Sequence, residues 1–262
     1  MDPGEAPGRR FLTADWRWLV MLNYAVDPAV LRPYLPAGTE LDAWDGRACA
    51  SVVGFRFLRA RLLGIPVPGH GAFEEVNLRF YVRRRAPEGW RRGVVFVREI
   101  VPRRAVAAVG RLYGENFAAL PMRHRVELDP AAGGEVEYGW KHGGRWCTLA
   151  ARVEGPARPL EPGSEAEFIA EHYWAYTAGR RGTVEYRVEH APWNAWLARD
   201  AVLDGDVAAL YGERFADSLS ALPRSALVAD GSPVSVFTGT RLPAYAAAGR
   251  ARPAGLAPAG AP

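Results

Sequence analysis

Residues 73–82, Phe-Glu-Glu-Val-Asn-Leu-Arg-Phe-Tyr-Val, hold the side chains best suited to chemistry in this sequence. Side chains of an extended strand alternate between its two faces, so Glu75, Asn77, Arg79 and Tyr81 are predicted to share one face. A carboxylate, an amide, a guanidinium and a phenol could together bind a small polar molecule if that face looks into a cleft or barrel. The alternative is an amphipathic strand whose polar face meets water.

Two further segments could bring charged side chains to the same place. Residues 93–101 are predicted to form a mostly apolar strand with Arg98 and Glu99 near its end. Residues 105–113 predict a short Ala-rich helix whose Arg111 points back toward the sheet. Such arginine and carboxylate groups could anchor an acid while a second carboxylate moves protons, or they could be structural ion pairs. The candidate ligand contacts are therefore Asn77, Arg79, Tyr81, Arg98, Glu99 and Arg111, with Glu75 as the candidate acid or base.

The elements that must position these residues are mostly strands in a meander, in which neighbours pair antiparallel. The sequence predicts an ordered start near Trp16, a short helix from Asp27 to Leu35, and a hairpin around Asp45-Gly46. Further strands are predicted over 123–128, 135–140, 146–153, 183–190 and 233–238, with a short helix over 206–214. Each run is short and bounded by turn residues, which is typical of a large antiparallel sheet.

The clearest helix start lies at Ser164 and Glu167, which have the spacing of a capping box. The spacing of the apolar and aromatic residues after it predicts a helix that continues to about Thr177. His172 and Tyr176 would then lie on the face that packs against the sheet. For His172, and for His190 in His-Ala-Pro-Trp, a structural role is the favoured interpretation, and a functional role stays open.

Composition and missing motifs exclude several classes of protein. The formal net charge of +4 comes from short arginine clusters interleaved with acids, and no nucleic-acid-binding signature accompanies it. The sequence contains no phosphate loop, no dinucleotide fingerprint and no nucleophile elbow, and its five histidines lack metal-ligand spacing. We therefore expect no cofactor, no metal, no nucleic acid and no membrane partner. Cys49 and Cys147 suit a reducing compartment, so the predicted location is the cytoplasm.

An ordered series of short motifs resembles the DUF2071, or YqjF-like, family. The series is Leu-Pro-x-Gly-x-x-Leu-Asp over 35–42, Trp-Asp-Gly over 44–46, Phe-x-Glu-x-Asn-x-Arg-x-Tyr-Val over 73–82, Ala-Val-x-x-x-x-Arg over 105–111, Glu-x-x-x-Ala-Tyr over 171–176 and His-x-Pro-Trp over 190–193. The resemblance implies an α+β fold similar to acetoacetate decarboxylase: a large, mainly antiparallel β-sheet curled into a barrel-like cone around a cavity, with a few peripheral helices. Composition predicts a flexible leader (1–10) and a disordered Ala/Pro/Gly tail (243–262), and the resemblance implies a single domain between them (11–242).

Acetoacetate decarboxylase uses a lysine that forms a Schiff base, and this sequence departs from that pattern. The comparable segment, residues 98–104, carries Arg103 and Arg104 where the resemblance implies lysines. Arginine stays protonated and does not form the imine. The only lysine, Lys141, lies in a Gly-flanked turn far along the chain. Glu75 matches a cavity glutamate, so a polar cavity is expected without the Schiff-base chemistry.

Three functions follow as expectations. The first is binding of a small acidic or carbonyl-bearing molecule in the cavity, with Arg79 or Arg111 as the anion contact. The second is a cofactor-independent lyase, hydratase or isomerase that uses Glu75 as acid or base. The third is a structural or interaction protein whose barrel is filled by side chains. The sequence leaves open whether the protein is an enzyme, and whether an exposed sheet edge supports a homo-oligomer.

Overall fold

A computed structural model describes residues 8–179 and 182–243, and strands dominate this part of the chain. The strands are β1 (Arg10–Ala25), β2 (Glu40–Leu41), β3 (Ala43–Trp44), β4 (Arg47–Leu62), β5 (Ile65–Pro66), β6 (Phe73–Ala86), β7 (Gly89–Val101), β8 (Phe117–Ala119), β9 (Met122–Asp129), β10 (Gly133–His142), β11 (Arg145–Glu154), β12 (Arg158–Pro159), β13 (Trp174–Gly179), β14 (Gly182–His190), β15 (Asn194–Leu197), β16 (Asp200–Asp204), β17 (Ser225–Phe237) and β18 (Thr240–Arg241). The helices are α1 (Pro28–Leu31), α2 (Arg104–Leu112), α3 (Glu165–Ala170), α4 (Val207–Tyr211) and α5 (Ala216–Ser220), with 3-10 turns at 32–34 and 213–215.

Seven strands of the large sheet close into a ring. The order β17-β1-β4-β6-β7-β13-β14 returns to β17 through pairs between residues 188–190 and 234–236. All of these pairings are antiparallel except β7 with β13, which pair in parallel at only two positions, Trp174 with Gly93 and Ala175 with Val94. The predicted α+β fold with a large, mainly antiparallel curled sheet is confirmed, and we describe it as a ring of strands.

A second sheet packs on one face of the ring. It has four strands in the order β16-β11-β10-β9. Tyr138 and Trp140 of this sheet lie in one buried cluster with Val76, Leu78 and Phe80 of β6. Because this sheet and helices α4 and α5 cover that face, the opposite face of the ring strands is the inner one. The inner face carries a separate apolar cluster that includes Met21, Val53, Phe55 and residues of α3.

Local sequence signals placed several of these elements correctly. Asp27 caps α1 by accepting a hydrogen bond from the Ala29 amide at 2.8 Å. Asp45 and Gly46 both adopt positive φ, as the two-residue turn between β3 and β4 requires. Ser164 accepts a hydrogen bond from the Glu167 amide at the start of α3. These features form because each depends on side chains only a few residues apart.

The predicted length of the helix that starts at Ser164 is wrong. Helix α3 ends at Ala170, and residues 174–179 form strand β13 instead. Ala175 joins the inner cluster while Tyr176 joins the outer one, so these residues alternate with the period of a strand. The spacing of the aromatic residues that follow Ser164 is compatible both with the 3.6-residue period of a helix and with the two-residue period of a strand. Pairing with β14 and β7 decided the outcome, because tertiary context overrides local helix preference.

Other predicted boundaries differ more modestly. Strand β1 begins at Arg10, ahead of the predicted start near Trp16, and β17 begins at Ser225 rather than Pro233. Residues 1–7 of the predicted leader and 244–262 of the predicted tail lie outside the described residues. Across residues 8–179 and 182–243, each helix is too short or too polar to cross a membrane.

Candidate functional site

A cavity of about 290 Å³ lies inside the ring. Six of the seven ring strands contribute to its wall, and further lining residues come from the loop before β6, from α2, and from the segment that leads from α2 into β8. Its aromatic lining residues are Phe11, Trp16, Phe55, Phe57, Phe73, Phe96, Tyr113, Phe117, Tyr186 and Phe237. Apolar walls with a few convergent polar groups are typical of small-molecule sites.

The polar face predicted for residues 73–82 looks into this cavity. Glu75, Asn77 and Arg79 all line it, and each is less than one tenth exposed, at 4%, 2% and 8%. The alternate residues of β6 pack in the outer cluster, which confirms the predicted alternation. Asn77 donates a hydrogen bond from Nδ2 to Oε1 of Glu75 at 3.0 Å. The role of these three side chains as ligand contacts stays a prediction.

A β-bulge in β7 brings Glu99 to the same wall. Asn77 pairs with Glu99 and Leu78 with Arg98, but Arg79 pairs with Phe96, so Val97 is the extra residue. The bulge places Phe96 and Glu99 on the cavity side although they are three residues apart. Val97 packs in the outer cluster, and its carbonyl accepts a hydrogen bond from Nδ2 of Asn116 at 3.0 Å.

Sequence reasoning missed a third cavity carboxylate, Glu115. It lies in the loop between α2 and β8, and β8 pairs in parallel with β7 at Glu99. Glu115 accepts hydrogen bonds from the hydroxyl of Tyr186 at 3.0 Å and from the hydroxyl of Thr177. The alternation of residues 183–190 had indicated the face that carries Tyr186. No periodic pattern marks Glu115, because it lies in a loop.

Burial raises the pKa of all three carboxyl groups, and neighbouring carboxylates add to the shift of Glu75 and of Glu99. Burial, together with the charge of Glu115, raises the pKa of Glu75 to about 7, although the Asn77 hydrogen bond and Arg79 oppose the shift. Burial also raises the pKa of Glu115 to about 7. The pKa of Glu99 lies well above its usual range because of burial and the charges of Glu75 and Glu115. Near neutral pH these groups can therefore both donate and accept protons.

Arg79 is the cationic group beside these acids. Its Nη2 donates a hydrogen bond to the carbonyl of Ile169 at 3.1 Å. Its Nε has no hydrogen-bond partner among the described residues, and the same holds for Oδ1 of Asn77 and Oε1 of Glu99. Buried polar groups in native proteins are almost always satisfied by protein, water or ligand. Three such atoms lie on neighbouring residues of the cavity wall.

The structure places the other candidate contacts away from the cavity. Tyr81 follows Arg79 on the same face, but it packs against Phe168 and His172 and forms a hydrogen bond with Ser51. The β7 bulge turns Arg98 outward, where it donates to the carbonyl of Leu210 in α4. Arg111 is exposed and donates to the carbonyl of Phe117 at 2.8 Å. Neither Arg98 nor Arg111, both candidate ligand contacts from the sequence, is among the residues that line the cavity.

The two histidines left open by the sequence lie behind the cavity. His172 is buried, and its two ring nitrogens have no hydrogen-bond partner among the described residues. Burial, with the charges of Arg79 and Arg92, holds its pKa well below the usual value. His190 stacks between Tyr173 and Trp193, with centroid distances of 4.9 and 4.3 Å. Neither histidine is among the residues that line the cavity.

Lys141 is exposed on β10 of the second sheet and does not line the cavity. Arg103 and Arg104, which stand where the resemblance implies lysines, are exposed at the start of α2. A carbonyl compound inside the ring therefore meets no lysine from the described residues.

Solved structures with this architecture include an acetoacetate decarboxylase-like enzyme from Sphingomonas wittichii RW1. It is 17% identical, covers 89% of this chain and 93% of its own, and superposes with a TM-score of 0.62. The enduracididine biosynthesis enzyme MppR, complexed with the condensation product of pyruvate and imidazole 4-carboxaldehyde, superposes with a TM-score of 0.61. It is 15% identical and covers 90% of each chain. These likenesses define the class of fold, the acetoacetate decarboxylase-like fold.

The chain belongs to the DUF2071 family, described as an uncharacterized conserved protein, whose family model matches residues 13–233. A curated relative is the uncharacterized protein YqjF of Bacillus subtilis strain 168. It is 27% identical over 186 residues, which are 68% of this chain and 72% of the relative. The resemblance seen in the sequence motifs is confirmed.

Proposed function

We propose that this protein binds a small carboxylate- or carbonyl-bearing molecule inside the ring, with Arg79 as the anion contact. The observation that carries the proposal is the set of three unpartnered polar atoms on Asn77, Arg79 and Glu99. In addition, Arg79 forms no ion pair with a carboxylate among the described residues, and its Nη2 bonds only to the carbonyl of Ile169 and, at 3.8 Å, to the sulfur of Met21. A buried guanidinium in this state gains a charge-assisted hydrogen bond from a bound carboxylate.

Neutral carboxyl groups complete the proposed site. At neutral pH a protonated Glu75 or Glu99 can donate a hydrogen bond to a ligand carbonyl, which an ionised carboxylate cannot do. The raised pKa values of both groups support this role. The fold neighbour MppR is complexed with a condensation product of pyruvate, which supports a ligand derived from a carbonyl compound. The likeness of the two chains is one of fold.

A second candidate function is cofactor-independent proton transfer by Glu75, as in a lyase, hydratase or isomerase. The pKa of about 7 favours it, because a general acid or base works best when its pKa lies near the working pH. The third expectation, a ring filled by side chains, is disfavoured by a cavity of about 290 Å³. An imine route is also disfavoured, because the only lysine lies outside the ring.

A thermal-shift screen of small carboxylic and keto acids tests the binding proposal. An acid present at about 100 times its dissociation constant should stabilise the wild type by roughly 2.7 kcal/mol, which raises Tm by roughly 5–10 °C. Arg79→Gln should abolish the response, and Arg79→Lys should restore part of it because the positive charge returns. Arg152→Gln, an exposed arginine on β11, is the matched control and should respond like the wild type.

Two outcomes would count against the proposal. No stabilisation by any acid would remove the evidence for a ligand, and an undiminished response in folded Arg79→Gln would place the anion elsewhere.

For the proton-transfer candidate, the hydrogens beside the carbonyl of a bound keto acid should exchange with D₂O, as followed by NMR. Glu75→Gln should stop that exchange while binding persists.

A further inference from the structure

The cavity has a polar deep end and an aromatic outer end. Along one face of β6 the lining residues run Phe73, Glu75, Asn77 and Arg79. Arg79 lies against Met21 and Ile169, which are fully buried, so its end of the cavity is closed. Near Phe73 the lining residues include exposed ones, among them Val67 at 36% and, directly after α2, Tyr113 at 55%. The entrance therefore lies at the Phe73 end.

The polar end and the entrance of the cavity are too far apart for one very small ligand to contact both. Six residues of strand separate Phe73 from Arg79, which is roughly 20 Å at about 3.3 Å per residue. A three-carbon keto acid held at Arg79 cannot also reach Phe73. The cavity volume of about 290 Å³ lies near the lower end of the range of about 300–1,000 Å³ typical of pockets for drug-sized ligands, which exceed such an acid in size.

The space between the polar end and the entrance is walled by aromatic rings. Phe57 and Phe73 stack with their centroids 4.6 Å apart, and Trp16 lies 5.3 Å from Phe55. All four rings line the cavity. Rings with few polar atoms offer nothing to a small, fully hydrated acid, but they stabilise an apolar body that is removed from water.

We infer that the ligand is an amphipathic monocarboxylic acid, whose carboxylate lies at Arg79 and whose ring-sized apolar body lies against the aromatic wall toward the entrance. This inference rests on the proposed function, because it takes the carboxylate contact from it. Beyond that contact, the inference specifies the size and the polarity of the rest of the ligand.

A series of acids with one carboxylate and a growing apolar body tests the inference by isothermal titration calorimetry on the full chain. The probes are propanoate, hexanoate and 5-phenylpentanoate, with 5-phenylpentanamide as the uncharged match. Each added methylene should strengthen binding about fourfold, so hexanoate, with three more methylenes, should bind about 60-fold more tightly than propanoate. The phenyl acid should bind more tightly still, and the amide at least tenfold more weakly than that acid.

Variants of α2 separate the apolar body from the carboxylate. Val109 lines the cavity and is half-buried, whereas Ala108 is exposed on the same helix and does not line it. Val109→Trp should fill part of the outer cavity and weaken 5-phenylpentanoate at least tenfold, with propanoate changed less than twofold. Ala108→Trp should change neither. If Val109→Trp does not fold, Ala105→Trp serves instead, because Ala105 is an exposed lining residue.

The outcomes distinguish the two proposals. If propanoate binds as tightly as hexanoate and 5-phenylpentanoate, the inference about the apolar body is overturned while the anion site stands. If Val109→Trp weakens both acids equally, or neither, the apolar body does not lie on the aromatic wall. If the amide binds as tightly as the acid, or if no carboxylate binds, the contact with Arg79 fails and both proposals fall.

Discussion

The carboxyl group of Glu75 links the folding of this protein to pH. Its pKa rises from 4.5 to about 7 in the folded chain, chiefly because it is buried. Between these values the folded state holds a proton that the unfolded state has released. The free energy of unfolding therefore falls as pH rises from about 4.5 to about 7, and the contribution of Glu75 levels off above that.

Glu75→Gln should remove this part of the pH dependence. In the wild type the free energy of unfolding attributable to Glu75 should fall by about 3 kcal/mol across that window. Denaturant titrations at pH 5, 6, 7 and 8 measure it. Groups that do not interact with Glu75 cancel between wild type and variant, whereas loss of the Glu75 charge also lowers the pKa of Glu99. Glu161→Gln, at an exposed acid ahead of α3, is the control and should keep the wild-type slope. Parallel curves for wild type and Glu75→Gln would contradict the assignment.

Behind Arg79, one buried hydrogen-bond chain ties four neighbouring strands together. Asn23 of β1 donates to the hydroxyl of Ser225 on β17 at 3.0 Å. Ser51 of β4 donates to Oδ1 of Asn23 at 2.6 Å, which leaves Tyr81 of β6 to donate to Ser51 at 2.5 Å. Ser51, Asn23 and Tyr81 are almost fully buried. The chain fixes the lateral position of β6, the strand that carries Glu75, Asn77 and Arg79.

Ser51→Ala should lower the free energy of unfolding more than the same substitution at a serine outside this hydrogen-bond chain. It leaves Oδ1 of Asn23 and the hydroxyl of Tyr81 without their partner, and an unsatisfied buried polar group costs about 1–3 kcal/mol. The loss should appear as a lower denaturation midpoint with an unchanged m-value. The hydroxyl of Ser235 on β17 bonds to no described residue, so Ser235→Ala should stay within about 0.5 kcal/mol of the wild type. Equal stabilities of the two variants would mean that the hydrogen-bond chain contributes nothing.

The whole ring depends on a narrow joint between β7 and β13. Gly93 lies at this joint, where a Cβ would stand 2.6 Å from the carbonyl oxygen of Trp174 and 2.7 Å from the ring of Tyr176. Only a residue without a side chain lets the two backbones pair here. At the same end of the ring, Arg84 and Arg91 both pair with the buried Glu185 of β14, at 2.6 and 2.5 Å.

Gly93→Ala should therefore strain the closure of the ring. We expect a loss of about 1–3 kcal/mol in the free energy of unfolding, because the clash is with backbone that cannot rotate away. Amide hydrogen exchange should accelerate most in β13 and β14. Gly71→Ala is the matched control, since a Cβ there meets nothing within 4 Å. Unchanged exchange in β13 and β14 in a destabilised Gly93→Ala would show that the joint is not the weak point.

The structural features that the sequence determined by itself depend on residues that are close together in the chain. The face shared by Glu75, Asn77 and Arg79 follows from the two-residue period of a strand, and the turn at Asp45-Gly46 follows from backbone preferences. The lack of a lysine in the matching segment was also readable, because it is a matter of composition. The motif series identified the family, and with it the class of fold.

Only the tertiary structure decided which distant groups meet. The β7 bulge turned Glu99 inward and Arg98 outward, and the pairing of β8 with β7 brought Glu115 beside Glu99. Residues 174–179 became a strand because β14 and β7 offered partners. These outcomes depend on pairing register between segments far apart in the chain. A one-residue shift in register moves a side chain to the other face, and no local pattern records it.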